Sequence, residues 1–127
     1  MGSTDTPVAT PYGDRSIASL EPGDLVYSAD GKAVRAVPIL RTGRRAVHDH
    51  HVVRVTLASG AVLEMSPGHP TADGRTFGDL LPGARLDGIE VVAVATVPYV
   101  HPFTYDILPA SSTGSYIAGR ARVGSTL

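Results

Sequence analysis

The chain has 127 residues, the length of one domain with a single hydrophobic core. Its 11 basic and 12 acidic side chains leave a formal net charge of −1, so it lacks the basic excess that holds a nucleic-acid backbone. No apolar run reaches membrane-spanning length, and the first residues lack the pattern of a signal peptide. Cysteine is absent, which excludes disulfides, thiolate metal sites and thiol nucleophiles from these residues.

Turn-forming residues are abundant, with 14 glycines and 10 prolines spread along the chain. Short segments rich in Val, Ile, Thr and Tyr recur between the turns, a rhythm typical of an all-β domain. The predicted strands are 8–10, 25–28, 34–40, 47–58, 61–65, 89–97, 103–108 and 116–123. The apolar run 89–97 predicts a strand buried in the core. Helical structure is limited to single turns, predicted near 17–20 and 77–81.

One segment occurs twice. Residues 15–23 and 75–83 align without a gap at an offset of 60 residues, with Arg, Leu, Pro and Gly identical. Each copy follows a turn that contains Gly and Asp, and each precedes a predicted strand. Two unrelated turns could share Pro-Gly by chance, but the matching contexts favour a duplication. The repeat predicts two related β units with pseudo-twofold symmetry.

A serine and a histidine lie three positions apart where a predicted strand ends. Pro67 and Gly68 predict a tight turn between Ser66 and His69, so the hydroxyl and the imidazole can converge. Such a histidine could transfer a proton near neutral pH. A loop histidine that only caps the turn fits the same spacing, so both interpretations stay open.

A second polar cluster begins the segment 47–58. If that segment is extended from its start, His48 and His50 share one face, and Asp49 and His51 share the other. A zinc site needs three or four protein ligands, and no second ligand cluster accompanies this one. The preferred interpretation is therefore a polar strand end, and no metal is expected.

A lone acid, Asp106, lies inside the apolar segment 104–108. Its carboxylate could shuttle a proton, or it could accept hydrogen bonds from backbone amides at a sheet edge. The chain then ends with Gly124-Ser125-Thr126-Leu127, which offers hydroxyls but no carboxamide side chain.

Taken in order, these motifs resemble those of the Hint domain, the self-processing module of inteins, bacterial intein-like domains and Hedgehog proteins. The resemblance covers essentially the whole chain. Its blocks are Asp5-Thr6-Pro7-Val8, Ile17-x-x-Leu20-x-Pro22-Gly23-Asp24, Ser66-x-x-His69-Pro70, Phe77-x-x-Leu80-x-Pro82-Gly83 and Tyr105-Asp106-Ile107, followed by a terminal segment Tyr116-Ile117-Ala118.

The resemblance implies an all-β fold, a Hint-type flattened horseshoe of two pseudo-twofold-related β subdomains with few or no helices. The duplicated segment fits such a fold. We expect residues 1–127 to form a single Hint-like domain, with residues 1–3 an addition in place of the natural first residue.

The resemblance also implies a reaction. The first residue, Cys or sometimes Ser, attacks the carbonyl that precedes it, and an N–S or N–O acyl shift converts the peptide bond into a thioester or ester. By motif match, His69 would protonate the departing amide nitrogen, Ser66 would help to hold the amide, and Asp106 would transfer protons between the two ends of the site. A second nucleophile would then release the upstream segment.

The sequence departs from the family's pattern at both junctions. Met1 stands where the nucleophile is expected, and Ser3 lies two positions too late. Inteins end in His-Asn, whereas Gly124-Ser125 occupies those positions here, followed by Thr126. Ser125 cannot form a succinimide, so splicing is not expected, and with Met1 in first place the chain is expected to be inactive.

The resemblance thus implies an autocatalytic, single-turnover domain of bacterial type that needs no cofactor. Its expected partners are covalently attached upstream and downstream segments, with no nucleic acid, no membrane and no second copy of the chain. Two alternatives remain open: a Hint-fold module with a structural or interaction role only, and a β domain that binds metal through His48, His50 or His51.

Overall fold

The computed structural model describes all residues 1–127, which form eleven strands and two 3₁₀ turns. The 3₁₀ turns, Ile17–Ser19 and Phe77–Asp79, lie at the two predicted positions, and there is no α-helix. The all-β prediction is confirmed. The strands are β1 (Pro7–Thr10), β2 (Gly13–Ser16), β3 (Leu25–Asp30), β4 (Ala33–Ala46), β5 (His51–Leu57), β6 (Val62–Met65), β7 (Arg85–Leu86), β8 (Ile89–Pro98), β9 (Phe103–Pro109), β10 (Tyr116–Ala118) and β11 (Ala121–Val123).

The strands form three antiparallel sheets, with orders β11-β10-β1-β2, β3-β4-β9 and β6-β5-β8-β7. The first sheet pairs the beginning of the chain with its end, because β1 lies beside β10. None of the helical segments is long and apolar enough to cross a membrane.

The duplicated segment has the same structure in both halves. Each copy forms a 3₁₀ turn and then a glycine with φ of 92°, Gly23 in the first and Gly83 in the second. Glycine is needed there because side chains rarely tolerate a positive φ. The predicted relation between the two units is confirmed. The matching bonds are Leu20 N–H to Ile17 O and Leu80 N–H to Phe77 O at 3.2 Å, then Gly23 N–H to Ile39 O at 2.9 Å and Gly83 N–H to Val91 O at 2.8 Å.

One hydrophobic core joins the two units. Nineteen buried residues form a single cluster, and Tyr116 and Phe77 are its largest members with no exposed surface. The last two strands close over this core as a hairpin and not as the single strand predicted for 116–123. Gly119 and Arg120 both have positive φ, as a two-residue turn between twisted strands requires.

The predicted boundaries are wrong on either side of the histidine cluster. Strand β4 continues to Ala46, beyond the predicted end at residue 40, and its second part pairs with β9. That part is mostly exposed and polar, so it lacks the alternation of apolar residues from which a strand is predicted. Residues 47–50 are a bend and not strand, and Asp49 has a φ of 50°. The two-face arrangement expected for His48, Asp49, His50 and His51 is therefore absent.

Strand β8 is less buried than its composition predicts. Only Val91 is fully buried, and Val92 is 47% exposed. The strand pairs with β5 and β7, but most of its side chains lie beyond the core. The prediction of a core strand over 89–97 is wrong because apolar composition does not report how far a sheet extends past its core.

Candidate active site

The first residues are held between two strands from different parts of the chain. The Gly2 N–H donates to the Tyr105 carbonyl at 2.7 Å, and the Tyr105 N–H donates to the Gly2 carbonyl at 2.9 Å. On the other side, the Ser66 N–H donates to the Met1 carbonyl at 2.8 Å. A Cβ at Gly2 would lie 2.8 Å from Met65 Sδ, so a side chain there would require Met65 to shift. These contacts hold the Met1–Gly2 peptide in place, and the Met1 amino group next to it is largely buried.

The last residues reach the same place from the opposite end of the chain. The Ser125 hydroxyl donates to the Ile107 carbonyl at 2.7 Å, and the Thr126 N–H donates to Asp106 Oδ2 at 2.7 Å. Leu127 packs over Gly43, where an added Cβ would lie 3.0 Å from Leu127 Cδ2. Both ends of the chain therefore meet at the β4–β9 pair.

A single buried carboxylate organises this meeting point. Asp106 on β9 is 1% exposed and accepts four hydrogen bonds. Its Oδ1 accepts from the Ile107 N–H and from the Tyr116 hydroxyl, each at 2.9 Å. Its Oδ2 accepts from the N–H and from the hydroxyl of Thr126. Burial raises the pKa of Tyr116 well above its ordinary value, so Tyr116 remains a donor.

His69 lies beside this carboxylate with its ring fully buried. Its Nε2–H donates to the Gly124 carbonyl at 2.9 Å, which leaves the lone pair on Nδ1. That Nδ1 has no hydrogen-bond partner and lies 3.9 Å from Asp106 Oδ2. The ring packs edge-on against Phe77 and Tyr116, with centroids 5.8 and 6.3 Å away. A buried nitrogen without a partner in a rigid ring is suited to receive a proton from a bound group.

Burial is the main reason that the pKa of His69 falls to about 4. Asp106 and the Gly124 carbonyl oppose the shift, whereas the ammonium group of Met1 adds to it. The pKa of that amino group is also lowered, chiefly by burial, although Asp106 raises it. His69 is therefore neutral at neutral pH, and its charge responds to what the nitrogen of residue 1 carries.

A cavity of about 570 Å³ opens beside these groups. Met1, Ser66, His69 and Thr126 line it. The Ser66 hydroxyl does not bond to His69; it bonds to His50 Nε2 at 2.9 Å. Ser3 does not line the cavity, because its side chain is buried against Thr6, with the two hydroxyl oxygens 3.3 Å apart.

The structure therefore brings His69 and Asp106 together and places Ser66, Met1 and Thr126 around one cavity. Ser125 holds the β9 backbone instead of facing the cavity. Sequence reasoning missed Tyr116 as the donor to the buried acid and His50 as the partner of Ser66. In the sequence, His50 stands out only as one of three possible metal ligands, an alternative to the preferred polar strand end. No group of three or more His, Cys, Asp or Glu side chains in residues 1–127 could hold a metal ion.

Comparison with known proteins identifies the fold. The sequence matches no protein-family profile and no curated protein. A bacterial intein-like domain from Clostridium thermocellum is 18% identical, covers 98% of this chain and 97% of its own, and has a TM-score of 0.82. A DnaB intein from Synechocystis sp. is 12% identical over 99% of this chain and 98% of its own, with a TM-score of 0.81. The Msm DnaB1 intein splicing domain, solved with bound zinc, is 17% identical. The match covers 98% of this chain and 99% of that domain, with a TM-score of 0.81. The chain has the all-β, Hint-type fold of these domains.

Replacing Asp106 by Asn tests the buried carboxylate. The amide would place its NH2 group against the donors of Thr126 or against those of Tyr116 and Ile107, so Asp106→Asn should lower the free energy of unfolding by about 2–4 kcal/mol. Urea unfolding measures the loss. Asp49→Asn is the matched control. The Asp49 side chain is 90% exposed, so its replacement should lower the free energy of unfolding by less than about 0.5 kcal/mol. Equal effects of the two substitutions would contradict the role given to Asp106.

The lowered pKa of His69 makes stability depend on pH. The unfolded chain binds this proton near pH 6.5, whereas the folded chain binds it only near pH 4. Between these values the unfolded state carries more protons, so the free energy of unfolding should fall as pH falls from 6.5 to 4, by on the order of 3 kcal/mol. Denaturation at a series of pH values should show this slope, and His69→Gln should flatten it. His48→Gln, at a fully exposed position, should leave the slope unchanged. A His69→Gln protein with the original slope would contradict the assignment.

Proposed function

We propose that this chain is a self-processing domain that rearranges the peptide bond between an upstream segment and residue 1. The observation that carries the proposal is the convergence of the Met1 nitrogen, His69 and Asp106 on one buried site. An upstream residue joined to that nitrogen would place the junction carbonyl at the cavity. The likeness of the fold to intein and intein-like domains supports the same reading.

The proposed chemistry is an acyl shift. A thiol or hydroxyl at position 1 attacks the junction carbonyl, a C–S or C–O bond forms, and the C–N bond breaks. His69 Nδ1, which has a free lone pair, takes the proton of the nucleophile and returns it to the departing nitrogen. Asp106, 3.9 Å away, stabilises the imidazolium that forms between these two transfers. The Ser66 N–H holds the carbonyl of residue 1 in place.

In this scheme the pKa of His69 depends on whether the nitrogen of residue 1 is a free amino group or part of a peptide bond. A free amino group at Met1 lowers the pKa of His69. An upstream peptide bond replaces that ammonium with a neutral amide, which raises the pKa of His69 and eases the first proton transfer. The acyl shift breaks the bond to that nitrogen and frees the amino group, which in its charged form lowers the pKa of His69, makes His69 a poorer base and disfavours the reverse shift.

The C-terminal junction lacks the groups for a second cleavage. The Ser125 hydroxyl is engaged with the Ile107 carbonyl, and a serine has no amide to cyclise. At position 124, where inteins carry a histidine, any side chain would require its neighbours to shift. An added Cβ would lie 3.0 Å from Pro70 Cγ and 3.1 Å from the Thr71 carbonyl oxygen. Cleavage at the N-terminal junction alone is therefore the proposed activity.

An upstream fusion tests the proposal. A tagged segment is joined to residue 1, with Met1→Cys in one protein and Met1 retained in its control. The cysteine protein should release the tag when a small thiol is added, and the methionine protein should not, because a thioether has no proton to give and forms no stable acyl product. His69→Ala in the cysteine background should slow release by roughly 10²-fold or more.

Two outcomes would contradict the proposal. Failure of the cysteine protein to release its tag, with or without thiol, would favour a Hint-fold module with a structural role only. Release at an unchanged rate after His69→Ala would remove His69 from the mechanism.

A further inference from the structure

One pair of side chains at the cavity takes no part in the acyl shift. The Ser66 hydroxyl oxygen lies 2.9 Å from His50 Nε2. With the ring proton on Nδ1, the hydroxyl donates to the Nε2 lone pair. This is the arrangement of a serine nucleophile and its general base. The turn that follows β6 carries Ser66, and the bend before β5 carries His50.

The surroundings of His50 favour the neutral form of its imidazole, which can act as a base. Burial is the main cause that lowers the pKa of His50, and the Met1 ammonium and Arg45 lower it further. The ring of Tyr99 packs edge-on against it, with centroids 6.1 Å apart and planes at 86°. Tyr99 is itself anchored, because its hydroxyl donates to the Phe103 carbonyl at 2.5 Å. A neutral imidazole held in one orientation can accept the serine proton.

The cavity also offers groups for an oxyanion. The N–H of Gly68 makes no hydrogen bond within the chain, and Gly68 lines the same cavity as Ser66 and His50. The Arg45 side chain lines it as well. A free backbone donor and a guanidinium near a nucleophile are the kinds of group that stabilise a developing negative charge.

The pair lacks the third member of a full triad. No carboxylate forms a hydrogen bond or an ion pair with His50. Such a pair is weaker than one whose base is oriented and charged by an acid. It is therefore suited to acyl groups that are already activated, such as esters and thioesters, and not to ordinary amides.

We propose that Ser66, with His50 as its base, accepts the acyl group from the ester or thioester formed at residue 1. Ser66 Oγ attacks the acyl carbon and gives its proton to His50 Nε2. The bond from that carbon to the side chain of residue 1 breaks, and His50 returns the proton to the leaving thiol or hydroxyl. Water then attacks the Ser66 ester by the same route, which releases the upstream carboxylic acid and restores Ser66. The identity of the acyl donor rests on the proposed function; the reactivity of Ser66 does not.

The first test uses the chain as it is. It is incubated with an alkyl fluorophosphonate, in which a serine oxygen displaces fluoride and bonds to phosphorus. Intact-mass and peptide-mass measurements should find one adduct, on Ser66. The rate should rise with pH and level off below pH 6.5, because the pKa of His50 is lowered.

Matched variants decide whether the pair acts as proposed. Ser66→Ala should abolish the adduct, whereas Ser59→Ala, at an exposed hairpin tip, should leave it unchanged. His50→Gln should slow labelling by about 10²-fold, as expected for loss of a general base, and His48→Gln should not slow it. Thermal unfolding of each variant checks that the fold is retained. No labelling of Ser66 in the folded chain, or labelling at the same rate in His50→Gln, would overturn the proposal.

The second test separates this proposal from the proposed function. In the upstream fusion with Met1→Cys, release without added thiol should fall at least tenfold after Ser66→Ala or His50→Gln, while release by added thiol continues. If added thiol releases the tag but neither substitution slows the release that occurs without thiol, the role of Ser66 is refuted and the acyl shift stands. Labelling of Ser66 without any release of the tag from the fusion would refute the acyl shift, and the assignment of Ser66 as a nucleophile would stand.

Discussion

The carboxylate of Asp106 is a negative charge in a place that water does not reach, and the surrounding structure supplies four donors to it. Those donors come from β9 itself, from β10 and from the last residues of the chain. An unpaired charge at this depth would cost several kcal/mol, so the fold and the hydrogen bonds must form together. The same carboxylate lies 3.9 Å from His69 on the turn after β6. One buried charge therefore links the two ends of the chain to the histidine of the site.

His69 is the residue of the site whose hydrogen bonding this arrangement leaves incomplete. Its Nε2–H is fixed by the Gly124 carbonyl, and its Nδ1 faces the site without a partner. A buried polar atom left without a hydrogen bond costs about 1–3 kcal/mol, a cost that a folded chain tolerates where a bound group completes the site. The neighbouring Met1 nitrogen is the natural position for that group. In the proposed function, stability and reactivity are in opposition at His69, because burial keeps its ring neutral and the missing partner leaves Nδ1 free to take a proton.

Much of this fold could be predicted from the sequence, because its turns are specified locally. The two copies of the duplicated segment predicted both 3₁₀ turns and the relation between the halves. The Ser66–His69 motif named two residues that line one cavity, and the Asp106 motif named the acid beside His69. Long-range features could not be predicted in this way. The second part of β4 carries polar side chains and is defined only by its pairing with β9. The exposure of β8 depends on how far its sheet extends beyond the core. The contact of His50 with Ser66 joins two loops 16 residues apart, and no spacing rule predicts it.

The central claim is that the nitrogen of residue 1 belongs to the same site as His69. The most direct test is an NMR titration of His69 in two proteins, the chain with a free Met1 amino group and the same chain with a short peptide joined to that nitrogen. In the first, the pKa of His69 should be about 4. In the second it should be higher, because the neighbouring positive charge is gone while Asp106 remains. The same pKa in both proteins would show that the junction lies away from His69 and would contradict the account.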